Sequence, residues 1–221
     1  MLSVVIPTLD AGKFLAAGLA LLGDPGRFGE IVISDGGSRD ETIALARAGG
    51  ARIAAGTRGR GPQLQLGAAT ARGEWLLFLH ADTRLATGWY PAVMAHIGER
   101  PGKAGYFRFA LDDGSRAARR VERLTRWRCR ILALPYGDQG LLISRALYDE
   151  IGGFRALPLM EDVDIVRRLG RARLALIELD AVTSAARYRR DGWWWRPLRN
   201  LTILTLWHLG VSAGRLVKLY R

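Results

Sequence analysis

This chain of 221 residues carries a single cysteine, Cys129. One thiol excludes an internal disulfide and any zinc site built from cysteines, and a lone cysteine of this kind packs on a helix flank. Long apolar runs are scarce as well. The opening Met1-Leu-Ser-Val-Val-Ile-Pro7 has no basic stretch ahead of its apolar residues and is too short for a signal sequence. No run reaches the ~20 residues that span a bilayer, so the body of the protein is expected in the cytosol. Repeats, low-complexity tracts and linkers are lacking, which leaves one domain. Neither Gly-x-Gly-x-x-Gly nor the lysine of a phosphate-binding P-loop occurs at a strand end. Acids are in deficit, 21 against 33 basic residues, for a formal net charge of +12. That balance favours an anionic partner (nucleic acid, nucleotide phosphate or anionic lipid) without choosing among them.

What is present is a regular alternation. Apolar strand-like runs at 3–6, 30–34, 51–54 and 75–79 are separated by helical spacing at 11–22, at 38–48 behind a Ser38-x-x-Glu41 capping box, and at 63–71. This β-α-β-α-β-α-β pattern predicts a parallel sheet with right-handed crossovers. The run Trp75-Leu-Leu-Phe-Leu79 reads as a central strand buried on both faces, and it leads straight into His80-Ala-Asp82. Ligands of open α/β sheets bind outside the carboxyl ends of the strands. The acids after three such strands, Asp10, Asp35 and Asp82, therefore converge on one crevice. The second half is less regular: helices at 90–97, Arg116–Leu132, 146–151 and Glu161–Leu169, and strands at 105–110, Leu141–Ser144 and 174–179.

Each motif has a plain and a functional reading. Asp35-Gly-Gly-Ser38 makes a tight turn without any ligand, yet an acid ending a buried strand points to use. Arg58-Gly-Arg60 is either a solvated basic loop or a phosphate fork. His80 and Asp82 are metal-ligand types one residue apart, and Mg²⁺ or Mn²⁺ is often held by one or two carboxylates plus substrate phosphates. In Glu161-Asp-Val-Asp164, Asp162 shares a helix face with Ile165, Val166 and Leu169, while Glu161 and Asp164 suit the helix dipole. A half-buried acid is a candidate general base. The tail, with Trp193-Trp-Trp195 and flanking arginines, suits a segment lying on a membrane surface; a lid over the acceptor site and a homodimer surface are its alternatives.

Val5-Ile-Pro7-Thr8, Ser34-Asp-Gly-Gly-Ser38, Phe78-Leu-His-Ala-Asp-Thr83, Gly152-Gly-Phe154 and Glu161-Asp162 occur in the order and spacing of family 2 glycosyltransferases, which the chain resembles over nearly its whole length. His80-Ala-Asp-Thr83, Gly137-Asp-Gln-Gly140 and the Trp/Arg tail look most like the radical-SAM and selenoprotein-associated subfamily labelled as acting in arsenosugar biosynthesis. The resemblance implies a GT-A fold: a Rossmann-like, mostly parallel sheet with helices on both faces, plus a carboxyl-terminal amphipathic helical appendage. The domain would cover residues 1–188, as a nucleotide-binding half (1–83) and an acceptor half (84–188), with the tail at 189–221.

The same resemblance implies an inverting transfer of a sugar from a nucleotide-diphosphate sugar to an acceptor hydroxyl, assisted by Mg²⁺ or Mn²⁺. Pro7, Leu9, Asp10 and Asp35 would serve the base, Arg60 and Gln63 the ribose and phosphates, and His80 the nucleotide. Asp82 would ligate the metal, with His80 standing where the family motif has its first acid. Asp162 matches the catalytic base, and Asp138, Gln139 and Glu161 lie on the acceptor side. The protein is then expected in the cytoplasm, at the inner membrane face if the tail docks there, without nucleic acid, and with a homodimer as an alternative use of the tail. A nucleotidyltransferase would place a glycine-rich Arg/Lys signature after the first strand, where Thr8-Leu-Asp-Ala-Gly-Lys13 stands instead. A nucleic-acid module would gather its charge on one face with aromatic platforms.

Overall fold

Alternation along the first strand sets the layering of the molecule, whose computed structural model describes residues 1–220. In β1 (Leu2–Thr8), Val4 and Ile6 enter one apolar layer and Val5 the other, as a doubly buried strand requires. Parallel to it run β2 (Gly29–Asp35), β3 (Arg52–Ala55) and β4 (Trp75–Phe78), in spatial order β3-β2-β1-β4. The crossovers are α1 (Gly12–Leu22), α2 (Thr42–Ala48) and α3 (Arg60–Thr70). The strand order reverses at β1, and the crevice there faces the ends of β1, β2 and β4.

The chain continues through β5 (Thr83–Leu85), α4 (Trp89–Glu99), β6 (Ala104–Leu111), α5 (Arg116–Leu132), β7 (Leu141–Ser144), α6 (Arg145–Glu150), α7 (Glu161–Leu169) and β8 (Leu174–Thr183). All eight strands form one sheet, β3-β2-β1-β4-β7-β6-β8-β5. Because β7 runs antiparallel to β4, the 3₁₀ turn Gly137–Gln139 that precedes it lies at the edge where β4 ends. An antiparallel neighbour thus delivers a further acid, Asp138, beside Asp82 at the end of β4.

Three helices close the chain: α8 (Ala186–Asp191), α9 (Trp195–His208) and α10 (Ala213–Tyr220). Ile203, Leu204 and Leu216 belong to the same apolar layer as Val5, Phe78, Ile143 and Val166. The tail is therefore packed into the domain, and the boundary expected between 188 and 189 falls inside α8.

Two local expectations need correction. No capping box forms, because the carboxylate of Asp35 draws both the amide and the hydroxyl of Ser38 into its own turn, and α2 starts only at Thr42. On α7, Glu161 and Asp164 are the buried acids, and Asp162 is only partly covered. Helical spacing along α7 shows Arg168 one turn from Asp164, but it could not foresee that Arg60 and Arg155, from other segments, would accompany the two acids inward. Arg60 meets Glu161 at 3.3 Å, while Arg168 and Arg155 meet Asp164 at 2.6 and 3.1 Å.

Candidate active site

The ends of β1 and β2 are clasped together. Asp35 accepts from the hydroxyls of Thr8 (2.9 Å) and Ser38 (2.5 Å) and from the amides of Gly37 and Ser38 (both 2.8 Å). Burial opposes its ionisation, but these donors outweigh burial and hold the carboxyl below its usual range. Ser38 Oγ also accepts from the Asp10 amide at 2.9 Å, and Asp10 Oδ1 accepts from the Arg39 amide at 2.8 Å. Asp10 adopts a left-handed φ of 48°, a conformation that this clasp sustains. Gln63 is buried and donates its amide to the carbonyls of Thr8 (2.6 Å) and Ser34 (3.0 Å), tying α3 to both strand ends. Pro7, Leu9, Asp10, Arg58 and Gln63 border one cavity over these ends.

A second cavity lies on the far side of β4, bordered by Tyr136, Asp138, Asp162, Ser184, Tyr188 and Asn200. Asp162 sits in the first turn of α7, its carboxylate fixed by the amides of Gly137 and Val163, both at 2.8 Å. Gly137 is required by close approach: a Cβ there would lie 2.5 Å from His80 Nε2 and 3.4 Å from Asp162 Oδ2. The Gly152-Gly-Phe154 motif sets the entry to α7. Gly153 is left-handed (φ 58°), and any Cβ on it would meet the Tyr148 ring at 2.7 Å. Arg168, paired to Asp164, donates to the Gly153 carbonyl at 2.7 Å and so holds this loop against the helix.

Arg60, His80, Asp82 and Arg187 border both cavities. His80 has its pKa pushed down to about 4, first by burial and then by the charge of Arg60, so the ring is neutral. Asp138 is pushed up to about 6 by burial, opposed by Arg128 and reinforced by the charges of Asp162 and Asp82. Its Oδ1 is buried without a partner, as is Asn200 Oδ1 in the same cavity.

Of the residues expected at the site, Arg60, His80, Asp82, Asp138 and Asp162 are brought together, and Pro7, Leu9 and Asp10 line the neighbouring cavity. Asp35 lies beneath the turn with its oxygens engaged. Gln139 faces inward, donating to the Phe107 carbonyl at 3.0 Å and accepting from Arg128 at 3.1 Å. Glu161 lies behind Asp162, almost wholly buried on Arg60, its pKa raised by burial. Gln139 and Glu161 border neither the first nor the second cavity, because each is drawn in by an arginine.

Sequence reasoning missed Arg187, whose guanidinium lies 3.4 Å from Asp82 Oδ2, and also Tyr136 and Asn200. Arg187 stands at the start of α8, just past the end of β8, where local pattern gave no element. That strand runs to Thr183 rather than 179, and its register against β6 jumps between Ile177 and Asp180, which breaks the alternation that marks a strand.

Among the described residues, no three His, Cys, Asp or Glu side chains are arranged to hold a metal. Asp82 stands alone as a carboxylate on the shared wall, with the Arg187 guanidinium already on it. This donor set fits a divalent cation that takes one carboxylate and completes its shell with phosphate oxygens and water. It does not fit one held by protein groups alone.

The chain was compared with known proteins. A family model, glycosyl transferase family 2, matches residues 3–158. No curated protein sequence matches. Among solved structures, a mycobacterial protein is 23% identical with a TM-score of 0.63, over 83% of this chain and 66% of its own. S. aureus TarS 1–349 in complex with UDP-GlcNAc is 19% identical with a TM-score of 0.65, over 83% of this chain and 58% of its own. Glucosyl-3-phosphoglycerate synthase from Mycobacterium tuberculosis, in complex with Mn²⁺ and UDP-glucose, is 20% identical with a TM-score of 0.61, over 83% and 71%. The chain thus spans less than two thirds of the length of the first two. At these identities the likeness establishes the fold alone, the mixed α/β GT-A arrangement of a curled sheet flanked by helices. The family match, which runs from β1 through the Gly152-Gly-Phe154 loop over well more than half of the sequence, goes further: the chain belongs to glycosyl transferase family 2.

Proposed function

We propose that the protein transfers a sugar, with inversion, from a nucleotide-diphosphate sugar to an acceptor hydroxyl. The observation that carries this reading is the pair of cavities meeting at Arg60, His80, Asp82 and Arg187. A group transfer needs two substrates in contact at one wall, and the charged groups for the chemistry stand on that wall. The Pro7–Asp10 side takes the nucleotide and the Asp138–Asp162 side takes the acceptor. That TarS was solved with UDP-GlcNAc and the mycobacterial synthase with Mn²⁺ and UDP-glucose makes a uridine diphosphate sugar the first donor to test.

Asp162, oriented by two amides, takes the proton of the acceptor hydroxyl as it attacks the anomeric carbon opposite the leaving diphosphate. Asp82 holds a divalent cation, Mg²⁺ or Mn²⁺, which when bound offsets the charge of the departing diphosphate. Arg60 and Arg187 stand on the same wall and add donors to that oxyanion. Glu161 steers Arg60 from behind, and neutral His80 supports the Gly137 turn that holds Asp162. Asp138 and Asn200 present free acceptor atoms to further hydroxyls of the acceptor. The finer kinship with the arsenosugar-labelled subfamily rests on His80-Ala-Asp-Thr83, Gly137-Asp-Gln-Gly140 and the Trp/Arg tail. No helix of the described residues is long and apolar enough to cross a membrane. In this reading the protein is cytoplasmic, and its tail meets a membrane surface rather than a second subunit.

The test is Asp162→Asn. UDP release from UDP-glucose or UDP-GlcNAc, assayed with a panel of hydroxyl acceptors, should fall by about 10²- to 10⁴-fold. UDP binding by calorimetry should be unchanged. Full turnover by the variant would remove Asp162 from the mechanism.

A further inference from the structure

The tail is one part of a larger exposed face whose centre is α5. The inward side of that helix carries Ala118, Val121, Glu122, Thr125 and Cys129 at three- and four-residue spacing, all buried. An ordinary surface helix would be polar on the rest of its circumference. Here Leu124, Trp127 and Ile131, also three and four apart, form an outward row, each with half or more of its surface exposed. Beside this row run Arg116, Arg119, Arg123, Arg126 and Arg130, which share the adjoining strip of the helix by the same spacing. Arg119 pairs with Glu122, while among the described residues Arg116, Arg123, Arg126 and Arg130 make no ion pair.

The row extends onto the tail. Arg120 stacks over the Trp194 ring, 3.5 Å from its centroid, which joins α5 to the start of α9. From there Trp195, Leu198 and Leu201 are exposed on the outer side of α9, while Arg196 and Asn200 on its inner side line the acceptor cavity. An exposed apolar row edged by arginines, most of them without an acidic partner, matches a surface that offers hydrocarbon beneath a layer of anions. We infer that this α5–α9 face docks on a bilayer containing anionic phospholipid, with Trp127, Trp194 and Trp195 at headgroup depth and the arginine strip on the phosphates. A second copy of the same face would set arginine strip near arginine strip, which charge disfavours. No catalytic assignment is needed for this inference. It places the acceptor cavity on the opposite side of a membrane-lying helix.

The experiment uses the full chain, free of nucleotide, with vesicles of phosphatidylcholine alone and with about a third phosphatidylglycerol. The protein should sediment with the anionic vesicles, at least about tenfold more tightly than with the neutral ones, with a blue shift of tryptophan emission. The double variant Arg123→Ser, Arg126→Ser should lose about 30-fold in vesicle affinity, and Trp127→Ala should lose both affinity and part of the blue shift. UDP binding and the melting temperature of both variants should stay as in the parent, since none of these residues borders the cavities. The inference is overturned by any one of three outcomes. The first is equal or absent sedimentation with the two vesicles. The second is a dimer in sedimentation equilibrium that Trp127→Ala dissolves while vesicles are ignored. The third is binding to an oligonucleotide that exceeds binding to the anionic vesicles. Loss of UDP binding in every form would instead count against the transferase reading.

Discussion

Asp138 and Asp162 both line the second cavity, and their surroundings set them apart. Asp162 is held by two amide donors; Asp138 has an oxygen without a partner and a pKa raised from 3.8 to about 6. A carboxyl whose folded pKa lies above its unfolded value lends stability that is complete below the unfolded value and is lost as pH rises through the folded one. Relative to Asp138→Asn, the parent should therefore lose stability between pH 3.8 and about 6, read by urea melts in metal-free buffer at the ends of that window. Parallel curves for the two proteins would mean that Asp138 is not buried as described. The strand-end acids were legible in the sequence because a continuous apolar run fixes where a strand stops. The environment of each acid was not. Glu161 and Asp164 are inside because Arg60, Arg155 and Arg168, far from them or on another turn, meet them there. Arg187 reaches Asp82 from a segment that local pattern assigned to no strand or helix.

At the scale of elements, the short turn before β7 does most to shape the site. Gly137→Ala would drive a methyl into the His80 ring and shift the amide that holds Asp162. Transfer should fall by about a hundredfold for a displacement of roughly an ångström, while UDP binding persists. Normal turnover in that variant would mean that the turn has room to yield. The tail makes a second case. Leu216 is fully buried in the layer that also holds Phe78 and Val166, so Leu216→Ala should cost about 2–5 kcal/mol of folding stability by denaturant melt. A detachable appendage would give a cost near zero. The four parallel strands and their crossovers were plain from periodicity alone. The tail's place in the core was not, since its apolar residues face both the core and solvent and show two rows rather than one. The ten-residue β8 was cut short by its own irregular register, and the three-residue β5 was too brief to leave a pattern.

At the scale of the whole molecule, the excess positive charge divides into two populations. Arg60 and Arg187 lie at the crevice on acids, while on the α5 strip only Arg119 meets an acidic partner, Glu122, among the described residues. Raising salt should weaken vesicle binding more than nucleotide binding, because exposed charges are screened far more than enclosed ones. The crevice itself makes one central claim. A lone carboxylate already covered by an arginine holds a divalent cation only together with the diphosphate of the donor. Calorimetric titration of UDP with and without Mn²⁺, into the parent and Asp82→Ala, tests that claim most directly. Mn²⁺ alone should bind the parent weakly, UDP should bind markedly more tightly with Mn²⁺ than without, and Asp82→Ala should abolish that gain. Tight binding of Mn²⁺ to the nucleotide-free protein, or an unchanged gain in Asp82→Ala, would contradict it.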